Sequence, residues 1–154
     1  MLLFAVCGAR VLREEWSVAD IEYRRVWMID GKTAQPGEVL ERIAKLIEAS
    51  RAPELSIRRE VLNMWWRKDS PAITLESKLE KTMPLRGSIY AQGYGTTLVV
   101  GRVVVQPDSM NRYKWMAAAA FEYLIDRCVA TVVAEEDGRE VTERGEKSTN
   151  TGTS

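Results

Sequence analysis

The densest run of chemically capable side chains in this chain is Trp65-Trp66-Arg67-Lys68, two indoles followed directly by two cations. Indole faces stack on nucleobases and cations attract phosphate, the combination by which proteins hold single-stranded nucleic acid. Arg58 precedes them on the same predicted strand, residues 56–67, and would enlarge the basic surface. Neighbouring residues on a strand point to opposite faces, so Trp65 and Trp66 cannot share one. One indole can enter the core. The other meets an exposed face beside Arg58, Arg67 and Lys68, anchors a protein interface, or is covered where the sheet curls. Arg112, Tyr113, Lys114 and Trp115 form a second aromatic and basic group on a predicted helix. Tyr113 falls on the apolar stripe of that helix; Trp115 falls off it and adds to the interface reading.

Carboxylates come in two suggestive pairs, Glu76 with Glu80 and Glu122 with Asp126. Two carboxyl groups can divide acid and base work when their environments push their affinities for protons apart. No neighbouring motif would desolvate either pair, so both read as solvated surface charge. The chain has no histidine, which removes imidazole bases, Ser-His and Cys-His nucleophiles, and every metal site that needs a histidine ligand. Two cysteines cannot form a four-thiolate zinc site. Gly31-Lys32-Thr33 imitates the end of a phosphate-binding loop, but Val26 occupies the position of its first glycine. Gly93-Tyr94-Gly95 has neither the third glycine nor the following helix of a dinucleotide site. No catalytic residue, metal ligand or cofactor is assigned.

These side chains need a scaffold, and 154 residues suit a single domain with its own core. An apolar fraction of 45% and a charged fraction of 29% are those of a globular protein. Formal net charge is zero, with the acidic excess in residues 131–154, so charge alone points to neither nucleic acid nor membrane. Cys7 and Cys128 fit a reducing cytoplasm as buried thiols, and nothing reaches the length of a membrane span. Missing histidines and few amides beside many Arg, Glu and Val hint at a thermophilic source.

Residues 2–12 read as a buried strand and residues 18–30 as a second, with a phase slip at Arg24-Arg25 that predicts a β-bulge. Pro36 opens a helix over 36–50 with Val39, Ile43, Leu46 and Ile47 on its apolar stripe. A four-strand antiparallel meander follows: 56–67, a turn at Asp69-Ser70-Pro71, 73–81, a turn over Met83 to Gly87, 88–94, a turn at Gly95-Thr96, and 97–106. Asp108 or Ser109 caps a long helix whose stripe is Met110, Tyr113, Ala117, Phe121, Leu124 and Cys128. Ile125, Val129 and Val132 keep helical phase to about Ala134, against the alternative of a hairpin at Asp137-Gly138. Residues 145–154 hold no large apolar side chain and read as a disordered tail after a single domain over 1–144.

The expected fold is α+β: a curled antiparallel sheet, in the order strand, strand, helix, four-strand meander, helix, packed on the long C-terminal helix. This order resembles in topology the helix-grip arrangement, which implies an apolar ligand cavity between sheet and helix. The small side chains Ala117 to Ala120 either leave room for such a ligand or let the helix pack closely on the sheet. The functional expectation is a noncatalytic cytoplasmic binding protein that forms a homo-oligomer and takes an apolar small molecule as a further candidate partner. The alternative is a nucleic-acid-binding protein using the basic aromatic strand; an enzyme with carboxylate chemistry stands third. No membrane partner is expected.

Overall fold

A computed structural model of the chain describes residues 20–31, 35–64, 67–78, 84–107 and 112–141, with the backbone alone at 20–23, 62–64, 67–69, 106–107 and 112–114. The elements run β1 (Asp20–Asp30), α1 (Pro36–Ala49), β2 (Leu55–Met64), β3 (Arg67–Ser77), β4 (Leu85–Tyr94), β5 (Thr97–Pro107), α2 (Arg112–Glu135) and β6 (Arg139–Val141). The strands form one antiparallel sheet in the order β2-β3-β4-β5-β1-β6, so β1 lies between the last meander strand and the short β6. Both helices pack on one face of this open sheet, and their apolar side chains share a single core with it. The predicted strand over 2–12, the cap at Asp108 or Ser109, and the tail over 145–154 lie outside the described residues.

Strand alternation decides which side chains meet the helices. On the helix face stand Trp27 and Ile29 of β1, Ile73 and Leu75 of β3, Leu85, Ile89 and Ala91 of β4, and Leu98, Val100 and Val104 of β5, all buried. The four meander strands pair consecutively, as short turns between neighbouring strands require. Gly95, at φ +60, supplies the left-handed torsion of the turn between β4 and β5. The expected bulge in β1 is absent: β1 runs against β5 without a register shift from Asp20↔Pro107 to Asp30↔Thr97. The apparent slip is a charged residue, Arg25, in the inward row with Trp27 and Ile29.

The first hairpin also differs from expectation. Ser70 and Pro71 belong to β3 instead of to a turn, and the chain reverses between the paired residues Met64 and Arg67. A proline is tolerated there for a geometric reason. The Lys78 amide donates to the Glu54 carbonyl at 2.9 Å, which makes even-numbered β3 residues bond to β2 and aims the missing Pro71 N–H towards β4. Pairing of β3 with β4 ends at Ala72↔Tyr90, so no ladder bond is lost. The turn expected over Met83 to Gly87 is likewise shorter, since Leu85, Arg86 and Gly87 are already strand.

Helix α1 begins at Pro36, where a missing amide is harmless, and buries Val39, Leu40, Ile43, Ala44 and Ile47. Leu46, expected on that stripe, is exposed, and Leu40 and Ala44 occupy the buried face instead. Helix α2 continues to Glu135, with Ile125, Val129 and Val132 buried as their phase predicts. Its end is a Schellman arrangement: the Gly138 amide donates to the Val133 carbonyl at 2.8 Å and the Asp137 amide to Ala134 at 3.1 Å, with Asp137 at φ 58. Asp137-Gly138 therefore turns the chain from helix into β6, a strand the sequence reading did not contain. A Cβ on Gly138 would stand 2.6 Å from Val133 Cγ1 and 2.8 Å from the Met28 carbonyl oxygen, so only glycine fits this close approach.

Candidate functional site

The sheet–helix interface contains a group of charges where a core row should be apolar. Arg25 of β1 and Arg102 of β5 face each other in register, and both lie on the helix face. Like charges directly opposite across a ladder repel, so the pair needs a bridging anion. Helix α2 provides it. Asp126 accepts from Arg102 Nε at 2.7 Å and Nη2 at 2.9 Å, and from Arg25 Nη1 at 2.7 Å. Glu122, one turn earlier on the same side of the helix, accepts from Arg102 Nη2 at 2.7 Å. Arg25 also donates from Nε and Nη2 to the two Glu140 oxygens of β6, each at 2.6 Å, and its guanidinium lies over the Trp27 ring, 5.6 Å from the centroid.

The network thus ties β1, β5, β6 and α2 at one place. The Arg102 side chain is 1% exposed, against 15% for Asp126 and 28% for Glu122. The hydrogen bonds that Arg25 donates to Glu140, and then those to Asp126, outweigh the lowering effect of burial and hold its guanidinium well above its ordinary pKa. Glu122 and Asp126 are therefore not the solvated surface pair expected from sequence. They are partly buried acceptors committed to guanidinium donors, an arrangement that organises packing rather than proton transfer. Sequence reasoning missed Arg25 and Arg102. The available signal was their phase, one charge in each otherwise apolar strand row, opposite a Glu-x-x-x-Asp helix face.

Of the expected binding residues, Arg58 projects from the sheet face opposite the helices and lies 3.2 Å from the Glu60 carboxylate. Its charge is countered within its own strand. Arg67 and Lys68 form the start of β3, and Trp65 and Trp66 lie outside the described residues. Trp115, on the helix side of the sheet, is therefore not gathered with Arg58 into one basic aromatic surface. In the other carboxylate pair, Glu76 stands 3.6 Å from Arg86, and Glu80 lies outside the described residues. Among the described residues no group of three or more His, Cys, Asp or Glu side chains could hold a metal ion, and no helix is long and apolar enough to cross a membrane.

Helix α2 carries a second apolar surface, directly opposite its buried one. Trp115, Met116 and Tyr123 are 62%, 60% and 66% exposed. Met116, Ala120, Tyr123, Arg127, Ala130 and Ala134 are all exposed and recur at alternating spacings of four and three, the spacing by which one helix meets another. Arg127 is the one charged residue of this seam, and its guanidinium lies 6.0 Å from the Tyr123 ring centroid. Of the four consecutive alanines, Ala118 is buried and Ala117 packs against the core, whereas Ala119 and Ala120 face outward. At Gly87 of β4 the helix comes close enough that a Cβ would stand 3.1 Å from Ile125 Cδ1. The described contact between α2 and the sheet is thus close packing at this point. A cleft of about 290 Å³ lies elsewhere, between the C-terminal end of α1 and β2, lined by Ile47, Glu48, Arg51, Ala52, Leu55 and Ile57.

Val99, Val103 and Val105 share the sheet face away from the helices, where Val105 is buried and the other two are half-buried. The α2 seam is therefore the exposed apolar surface that the described side chains define best. Comparison of the chain with protein-family models and with curated proteins finds no match.

Proposed function

We propose that the chain is a noncatalytic, cytoplasmic binding protein that self-associates through the outward seam of α2. The observation that carries this reading is the exposure of Trp115, Met116 and Tyr123 on a helix whose opposite side is already core. A helix apolar on both sides calls for cover on both sides. Met116 and Tyr123, each exposed by about three fifths, lie on the seam itself with the exposed Ala120, Ala130 and Ala134, and Trp115 flanks it at the N-terminal end, so the apolar surface runs along the helix as at an interaction site.

The seam is complementary to itself when two copies run antiparallel about a two-fold axis near residue 125. Met116 then faces the second copy's Ala134, Ala120 faces Ala130, and Tyr123 faces Arg127. Each large side chain meets a small one, and each Arg127 exchanges its own Tyr123 ring for the partner's. The test is sedimentation at micromolar concentration of the parent chain and of Met116→Glu and Tyr123→Glu. The parent should sediment as a dimer or larger species, and both variants should weaken that association while keeping the parent's circular dichroism. A parent that remains monomeric at high micromolar concentration overturns the proposal.

A further inference from the structure

The two edges of the sheet are treated very differently. At one edge the three-residue β6 covers β1, the kind of short strand that blunts an edge. At the other, β2 is ten residues long, carries no proline, and among the described residues pairs only with β3. The bond from the Lys78 amide to the Glu54 carbonyl fixes which β2 groups are used. Even-numbered residues bond to β3, so the N–H and C=O groups of Leu55, Ile57, Arg59 and Val61 point out from the edge.

Charges on an edge strand commonly keep other strands away. Here their order does the opposite for one specific partner. We propose that β2 is a second self-association surface, on which two copies pair their β2 strands antiparallel about a two-fold axis at Arg59, joining the sheets edge to edge. In that register Ile57 faces the second copy's Val61, Arg58 faces Glu60, and Arg59 faces Arg59. The three odd-numbered pairings, whose main-chain groups point outward, each exchange two hydrogen bonds. Arg58 and Glu60 fall at the non-hydrogen-bonded positions, where cross-strand side chains approach most closely, so the axis generates two opposite-charge contacts.

The remaining side chains agree with this register. Val61 is 65% exposed and stands on the same sheet face as the half-buried Ile57, so the pairing covers it twice, once in each copy. The facing Arg59 side chains would repel alone, but each is already bound by Glu41 at 2.7 and 2.9 Å and by Glu48 at 3.1 Å. Arg58 and Glu60, 3.2 Å apart within one strand, need only exchange partners across the axis. This surface is independent of α2. Two such isologous contacts on one chain would link dimers onward, into a closed tetramer if the axes cross at right angles and an open filament if they do not meet.

The experiment uses the full chain carrying Tyr123→Glu, which removes the α2 contact and isolates the edge. Arg58→Glu places glutamates opposite Glu60, and Glu60→Arg places arginines opposite Arg58, so each variant should self-associate roughly tenfold or more weakly than its parent. Mixed in equal amounts they should form a heterodimer, because every facing pair is again of opposite sign. The double variant Arg58→Glu/Glu60→Arg should recover self-association. Val61→Pro, which removes an outward amide that β3 does not use, should leave the fold intact and abolish pairing. Misfolding could not produce recovery on mixing. A Tyr123→Glu parent that is monomeric at high micromolar concentration, single variants that associate as well as the parent, or a mixture that stays monomeric would each overturn the proposal.

Discussion

Replacing Asp126 with alanine should be the most damaging small change at the sheet–helix interface, and the geometry says by how much. Asp126 accepts two hydrogen bonds from Arg102, whose side chain is 1% exposed, and a third from the more exposed Arg25. Removing Asp126 leaves Arg102 buried with Glu122 as an acceptor, so the cost should fall at the lower end of the roughly 3–5 kcal/mol that breaking a buried ion pair carries. Against a domain stability of about 5–15 kcal/mol, that is a large share. For a chain of this size it should lower the midpoint of thermal unfolding by roughly 10 °C. Two controls separate burial from charge. Glu140→Ala removes the partner of Arg25 whose side chain is 40% exposed, and should cost about 1 kcal/mol or less. Arg102→Met with Asp126→Leu removes the buried pair together and should recover much of the loss, since well-packed apolar replacements often match a buried ion pair. Urea titration followed by circular dichroism measures all three. An Asp126→Ala protein within about 1 kcal/mol of the parent, or a double variant as unstable as the single one, would refute the assignment of Arg102 as a buried charge dependent on Asp126.

Gly138→Ala should destabilise the chain by about 1–3 kcal/mol, because its Cβ would overlap Val133, Ile29 and the Met28 carbonyl; denaturant unfolding checks this, and faster amide exchange in β6 would locate the damage. Burial pushes the Cys128 thiol above its usual pKa, so native protein at pH 8 should label at Cys128 at least an order of magnitude more slowly than unfolded protein, read by peptide mass spectrometry. The sign for stability follows from the same shift: the contribution is complete below the unfolded thiol pKa of about 8.5 and is lost as pH rises through the higher folded value.

How much of this was legible before the structure depended on whether a feature is local. The continuation of α2 past the β-branched run was readable because Ile125, Val129 and Val132 hold one helical phase, and all three are buried. The exposed position of Trp115 was readable for the same reason. Leu46 was misplaced because an apolar residue at the margin of a stripe can fall either way, and Ala44 with Leu40 filled the space against the sheet. The carboxylates of α2 were misread because desolvation is not a property of a helix face alone; it comes from the strand row placed beneath it.

By itself the sequence determined the α+β class, the pairing of consecutive meander strands, the two helices and the absence of imidazole chemistry, since periodicity, turn residues and composition act within a few residues of where they are read. Tertiary structure alone decided that β1 inserts between β5 and β6, because nothing local to Asp20–Asp30 specifies a partner more than sixty residues away. That insertion sets Arg25 against Arg102, and the register then requires Asp126 between them. Among the described strands it also leaves β2 as the long edge, since an edge is defined by what pairs beside it, which no single segment can encode.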